Sequence, residues 1–500
     1  MDKQARLIGL ILALGGLLVT VDTTVVLVAV PAIVADFNAS VASVQWATTG
    51  YLLGVVAVIP LAAWASRRFG ARRVFVTALG VFTTASVLAG LSWNVASLTT
   101  FRVLQGLGGG LLIPLGHAIG LRTVAREARG RMMSILGLPV LIGPVLGPPL
   151  AGALIDSASW RWVFLINVPV GLAGIILCLR FVPRQPVDPA ARGRVDVLGL
   201  VLLSGGASLL VLSCTKFAES GVLDPIYAAL GLAAIGMLAG FVVHALRSDD
   251  PLVDLRLLRH GQLGTGLAVV TTFGAAYFGA SSILPVFVQS VRGDSAGLAG
   301  MIAIPQALAV GLTMQVATRL VDRVDPHRIV TCGVTLGLLG VAGLFFTTTA
   351  DAPYGAIVCF AVVLSIGSGA TILPTMTLAL RDLEGDDTAR GTTLVGTAQH
   401  LASALGSAGV AAALTISIRT RAPSVSNDPG GRDGVGAMLE LDADQRGHLL
   451  PELAQAVGAA YLLPVALAAM SAFIALSCMR STQKRAHDSS TETEIESTRP

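Results

Sequence analysis

Charge is scarce in this chain of 500 residues: Asp, Glu, Lys and Arg make up 13% of it, against 54% hydrophobic residues and 56 glycines. That balance excludes a soluble domain, in which about a quarter of residues are charged. The net charge is only +4, and the basic residues lie in short segments between apolar runs, not in a patch with interleaved aromatics. Nucleic acid is thereby excluded as a partner. Cysteine is sparse as well: Cys178, Cys214, Cys332, Cys359 and Cys478 fall within or at the ends of apolar runs, with no CxxC spacing. Neither a disulfide framework nor a metal site is indicated. The chain also lacks HExxH, a nucleophile elbow and a phosphate loop, since no GK[ST] follows Gly106, Gly108, Gly109 and Gly110. Nothing points to an enzyme, and neither a cofactor nor ATP is expected.

What the chain has is apolar length. A window of about 20 residues finds fourteen candidate spans, near 7–30, 44–65, 74–92, 99–121, 132–155, 163–182, 197–215, 226–246, 263–288, 297–318, 329–349, 354–376, 392–417 and 456–478. The first is too long, and too poor in a cleavage site, for a signal peptide, and is expected to remain as helix one. Loop charge tests the count independently. With the amino terminus inside, six inward loops hold Arg67, Arg68, Arg72 and Arg73; Arg122, Arg126, Arg129 and Arg131; Arg180, Arg184, Arg192 and Arg194; Arg247, Arg256 and Arg259; Arg319, Arg323 and Arg328; and Arg381 and Arg390. The short outward loops hold only Arg161, Lys216 and Arg292. Twenty against three predicts that both termini are cytoplasmic. Residues 418–455 read as a long polar outward loop with a short helix near its end, and the Ser/Thr/Glu-rich tail 481–500 as disordered. Arginine outnumbers lysine 31 to 3 beside abundant Ala and Gly, which suggests a high-GC bacterium and hence its inner membrane.

One acid stands deep inside a span. Asp22 lies in LLVTVDTTVVLVAVP, and a carboxylate in lipid marks a functional site by default, most often a proton or cation handle. A weak internal repeat accompanies it: RRFGARR at 67–73 is echoed by LVDRVDPHR at 320–328. Such repeats point to two related bundles with a site between them. The expected organisation is a six-helix bundle over 1–182, an inserted pair of helices with linkers over 183–262, a second six-helix bundle over 263–480, and the tail.

Several motifs carry a family resemblance. Val21-Asp22-Thr23-Thr24-Val25-Val26-Leu27-Val28-Ala29-Val30-Pro31 is similar to LDxTIVNVALP, with Leu27 in place of Asn. Gln45-Trp46, Tyr51-Leu52-Leu53 and Phe101-Arg102-Val103-Leu104-Gln105-Gly106 follow in order, the last matching RxxQG. The run from Gly143 to Gly152, GPVLGPPLAG, resembles GxxxGPxxGG, and Trp160 to Gly171 reads as W-R-W-x-F-x-I-N-x-P-x-G. Together they resemble the fourteen-helix drug:proton antiporters of the major facilitator superfamily, the EmrB/QacA type. That resemblance implies an all-α polytopic membrane protein that exports hydrophobic or amphiphilic, often cationic, compounds by proton-coupled alternating access, acting as a monomer in multidrug or antibiotic resistance. Its partners are small hydrophobic molecules, protons and the bilayer. A dedicated exporter of one endogenous metabolite is the alternative within the class, and a membrane-embedded enzyme or sensor the remote one. Departures occur too. Arg67 stands where the family has an acid between helices two and three, whereas Asp322 and Arg323 keep an acid-base pair at the second, gate-like turn; Gln399-His400 has lost the arginine of RQLGG.

At 1.5 Å rise per residue, Asp22 lies about 22 Å above a start near Leu7 and Arg102 about 5 Å below the outer end of helix four, nearly the same depth. They can pair if their helices face each other. Burial disfavours the ionised acid and a guanidinium favours it, so rocking that alters their separation couples to proton binding; the bland reading is a fixed pair that holds two helices. Gly143, Gly147, Pro148 and Gly152 either allow bundles to rock or pack helices tightly. His400, and less so His117, can relay a proton or simply fill space. Trp46, Tyr51, Gln105, Phe273, Tyr277, Gln306 and Met314 are the candidate cavity lining, any of them equally readable as core.

Overall fold

The structure, a computed structural model, describes residues 1–477 except 40, 126–127, 185–195, 221–223, 249–250, 252, 260–261, 295, 322, 350–351, 382, 384 and 424–442. The tail 481–500, Asp322 and most of the expected loop 418–455 therefore lie outside the described residues. Among the described residues all regular elements are helical. The first half contains α1 (Lys3–Phe37), α2 (Val41–Val58), α3 (Leu61–Phe69), α4 (Ala71–Gly90), α5 (Val95–Arg122), α6 (Arg129–Leu136), α7 (Leu138–Ser157), α8 (Trp162–Leu165) and α9 (Asn167–Phe181). The middle contains α10 (Val197–Leu200), α11 (Gly206–Ser220) and α12 (Pro225–Arg247). The second half contains α13 (Leu263–Val286), α14 (Ala296–Leu320), α15 (Pro326–Thr347), α16 (Tyr354–Ala379), α17 (Gly385–Arg421) and α18 (Ala443–Ala460), followed by a helix over 462–477.

Local chemistry sets the ends. Asp2 caps α1 by accepting the Ala5 N–H at 2.7 Å, and Asn38 closes it in the left-handed region, at φ 47°. Asn94 and Ser97 cap α5 reciprocally. Gly70, at φ 86°, makes the tight turn between α3 and α4 that a side chain would strain.

Twelve helices among the described residues are long and apolar enough to cross a membrane. Twelve of the fourteen expected spans coincide with them; the other two, 44–65 and 132–155, are each divided. Pro60 starts α3 after α2 ends at Val58, and Gly137 with Pro139 separates α6 from α7. Proline lacks the N–H that would carry the ladder through, so a window that averages hydropathy reads one span where the backbone makes two pieces. Twelve undivided spans beside these two divided ones are compatible with the fourteen expected.

Packing brings the functional helices together. In the first half α1 packs on α5, α7 and α9, α4 on α5 and α9, and α2 on α5; in the second α16 packs on α13, α14 and α15, and α17 on α13. The inserted α11 packs on both α2 and α17. At the face carrying the arginine-rich turns, one apolar core joins the halves: Leu12, Phe75 and Met132 share it with Met314, Met376 and Leu394. Toward the opposite face the cores are separate, one around Ile33, Trp160 and Phe164 and another around Phe287, Val341 and Tyr461. The halves thus share an apolar core at one face and keep separate cores at the other.

Candidate functional site

Five helices deliver side chains to one buried point. Asp22 projects from α1, Ser86 from α4, Arg102 and Gln105 from α5 and Asn167 from the first turn of α9; Tyr51 adds its ring from α2. Arg102 and Gln105 are three residues apart and so share a helix face. Glycine lets α5 approach: a Cβ on Gly106 would strike the Tyr51 carbonyl of α2, and one on Gly108 the backbone of α4 at Ala78 and Phe82. The glycine run of α5 therefore packs helices closely.

Asp22 and Arg102 are completely buried. Arg102 Nη1 donates to Asp22 Oδ2 at 2.5 Å and to Gln105 Oε1 at 2.8 Å, and its Nε donates to the Ala47 carbonyl at 3.3 Å. The other carboxylate oxygen, Oδ1, accepts from Gln105 Nε2 at 2.8 Å and Asn167 Nδ2 at 3.0 Å. Both amides also donate to Ser86 Oγ, at 3.1 Å each, and Ser86 passes its own hydrogen to the Phe164 carbonyl at 2.8 Å. The guanidinium carbon lies 4.3 Å from the Tyr51 ring centre and 5.6 Å from that of Phe164. A charged pair away from water is tolerated only when its remaining donors and acceptors are met in this way. Asp22 here only accepts. To carry a proton it must find an acceptor, which an amide rotation of Gln105 or Asn167 would supply.

The other expected residues fall in different places. Tyr51 and Gln105 are buried parts of this network and do not line an open space. Phe273 is fully buried in the second half, where a side chain on Gly337 would strike its ring. Met314 fills the seam between the halves, against Gly137, and the neighbouring Gln315 donates to the Ser134 carbonyl at 2.6 Å. Trp46 is half-buried with the Lys216 ammonium 4.5 Å over its ring, tying α2 to α11. Tyr277 is half-buried beside Phe278, and Gln306 donates to its own helix at Ile302. Gly143 and Gly147 face Thr20 and Thr24 of α1, two residues either side of Asp22, while Gly152 faces open space; the side chain of Pro148 is outside the described set. Arg323 is exposed. His400 stands on α17, outside the Asp22 network.

Asn167 and Ser86 were not singled out from the sequence. Asn167 carried a signal, an amide at the start of an apolar run within the W-R-W-x-F-x-I-N motif. Ser86 carried none, because serines in these helices routinely bond to their own backbone.

The model of the Major Facilitator Superfamily matches residues 12–407. A Multidrug resistance protein B homolog of Mycobacterium tuberculosis is 33% identical over 467 residues, covering 91% of this chain and 86% of that protein. The MFS-type transporter YhcA of Bacillus subtilis is 29% identical over 399 residues, 79% of this chain and 74% of its own length. Among solved structures, the human organic anion transporter MFSD10 superposes with a TM-score of 0.64 at 16% identity, covering 95% of this chain and 100% of that one. The proton:xylose symporter XylE gives 0.62 at 15%, covering 95% of each; both show a shared fold. With its repeated apolar helices, its two halves and a family match over most of its length, the chain is a multi-pass membrane protein that belongs to the major facilitator superfamily.

Proposed function

We propose that this protein is a proton-coupled efflux transporter of a bacterial inner membrane, exporting hydrophobic or amphiphilic, often cationic, compounds by alternating access. The observation that carries this is Asp22, the sole acid of the apolar spans, buried at the junction of five helices with its charge balanced by Arg102. The name of the Mycobacterium tuberculosis relative, a multidrug resistance protein, supports the substrate class. Positive charge in loops favours the arginine-rich face inward, and on this reading the joined face is cytoplasmic and the transporter is closed on that side.

The network then works as a charge switch. Ionised Asp22 cancels Arg102; once it takes a proton from outside, the guanidinium is left uncompensated where the local dielectric is low. A cation bound nearby is repelled and leaves. Inward opening releases the proton, the pair re-forms, and the site is ready for cargo. Gly143 and Gly147, against the threonines flanking Asp22, let α7 move on α1 as this happens; Arg323, with Asp322, belongs to the inner gate. One proton supplies ~1.4 kcal/mol per pH unit and ~2.3 kcal/mol per 100 mV. Together, ~3.7 kcal/mol sustains a gradient of a neutral solute of roughly five hundredfold.

Detergent-purified protein in weak buffer tests the reading. Adding an amphiphilic cation such as tetraphenylphosphonium is expected to release protons from the wild type and none from Asp22→Asn. Binding without proton release in the wild type would defeat it.

A further inference from the structure

We propose that Tyr51 is the positioning residue of the charge switch: its ring, with that of Phe164, holds the Arg102 guanidinium in place while Asp22 is neutral. The proposal rests on the antiport reading and adds to it the part that keeps the positive charge still. Arg102 stays protonated at any working pH, so a proton on Asp22 takes away the carboxylate it is paired with. What is left to it is neutral: Gln105 Oε1 at 2.8 Å, the Ala47 carbonyl at 3.3 Å, and two aromatic faces, the guanidinium carbon lying 4.3 Å from the ring centre of Tyr51 and 5.6 Å from that of Phe164. A buried guanidinium without an anion leaves for water or another acceptor unless its surroundings meet it. Aromatic faces do so, and more strongly where water is excluded. All three side chains are buried.

The helix that carries the arginine also places the ring. A Cβ on Gly106 would strike the Tyr51 carbonyl, and one on Gly109 would come within 2.7 Å of its Oη, so two glycines of α5 fix both ends of the residue. Ala47 and Tyr51, four residues apart, share a face of α2, and that face gives Arg102 a carbonyl and a ring together. Among the described residues Tyr51 Oη is buried without a hydrogen-bond partner. The ring, not the hydroxyl, is therefore the part of Tyr51 that acts on Arg102.

The ring tells the two states of Asp22 apart. An aromatic face is negative, so it attracts the guanidinium and disfavours the carboxylate beyond it. While Asp22 is ionised the two effects oppose; once it is neutral only the attraction remains. Removing the ring therefore disfavours the protonated state, the opposite of what removing an amide donor does. Of the other titratable groups on elements packed around the pair, Lys3 and Arg6 of α1, Arg67 and Arg68 of α3, Arg72 and Arg73 of α4, Arg122 of α5, Arg129 and Arg131 of α6, Cys178 and Arg180 of α9, and Asp387 and Arg390 of α17 lie at the arginine-rich ends of their helices. Asp36 of α1, Asp156 of α7, Arg161 beside α8, and Arg419 and Arg421 of α17 lie at the opposite ends. His117 is about 22 Å along α5 from Arg102, and His400 about 15 Å along α17 from Arg390, both toward the arginine-rich side. Lys216 of α11 lies over Trp46, which neighbours Ala47 in sequence and so is turned to another face of α2.

Binding of tetraphenylphosphonium to the detergent-purified protein, measured from acid to alkaline pH, reads the switch. Wild-type affinity is expected to fall in acid as Asp22 takes its proton. Tyr51→Met fills the space without a ring face and should move the midpoint of that fall toward acid by about 0.5–1 pH unit, the scale of a cation–π contact. Tyr51→Phe, which keeps the ring, should restore the wild-type midpoint. Phe164→Leu removes the more distant ring and should shift the midpoint in the same direction by less. A Tyr51→Met midpoint that stays, or that moves toward alkaline pH as general loosening around the carboxylate would make it, overturns the proposal. So does Tyr51→Phe behaving like Tyr51→Met, and so does Phe164→Leu without an acid shift, which decides the matter if Tyr51→Met does not fold. Wild-type affinity indifferent to pH would defeat the charge switch itself, and the proposal with it.

Discussion

Asp22 is held by three donors on two other helices, and each has a separate consequence. Asn167→Ala removes a donor from the carboxylate and one from Ser86, and hydrogen bonds to charged groups contribute about 1.5–3 kcal/mol. Losing a donor to the ionised form raises proton affinity. The pH profile of coupled efflux in Asn167→Ala is therefore expected to move toward alkaline pH, which efflux measured against external pH will show; an unmoved profile would make Asn167 a packing residue only. Arg102→Met is harsher, because it strands a buried carboxylate, a change that costs about 3–5 kcal/mol. Its thermal midpoint should fall well below wild type, and Asp22→Asn in the same chain should restore much of the loss. The Asp22–Arg102 pairing was legible in the sequence, since two charges at one depth in apolar helices have few other partners. The role of Tyr51 was not: an aromatic in a span looks alike whether it faces a cavity or stacks on a guanidinium.

Helices meet here through glycine. Gly106 touches the backbone of α2 and Gly152 faces open space, although both lie in motifs of similar composition. Gly106→Ala forces α5 from α2, and overpacking of this kind costs about 1–3 kcal/mol. Gly152→Ala should change stability by less than about 0.5 kcal/mol. Thermal unfolding of the two variants in detergent compares them directly, and equal effects would contradict the packing described. Helix number was legible almost throughout, because length and hydropathy suffice to define a span. The breaks at Pro60 and Pro139 escaped a window of about 20 residues, in which one proline hardly changes the mean.

The halves share an apolar core at the arginine-rich face and have separate cores at the other. Such an arrangement transports only if the joined face can part. Ser134→Cys with Gln315→Cys, at a seam where the native side chain bonds across at 2.6 Å, should form a disulfide that stops efflux and is relieved by reductant. Efflux undiminished by the crosslink would show that the seam does not open. Which face is joined was not legible in the sequence, since both conformations bury nearly the same helices and differ only in which contacts cross between halves.

Efflux from everted membrane vesicles, for a panel of amphiphilic compounds, places wild type beside Asp22→Asn at matched expression. Wild type should move compounds in step with the imposed pH gradient, and Asp22→Asn should show none of that pH-linked movement. Gradient-driven efflux that persists in Asp22→Asn would mean that the proton travels by another group.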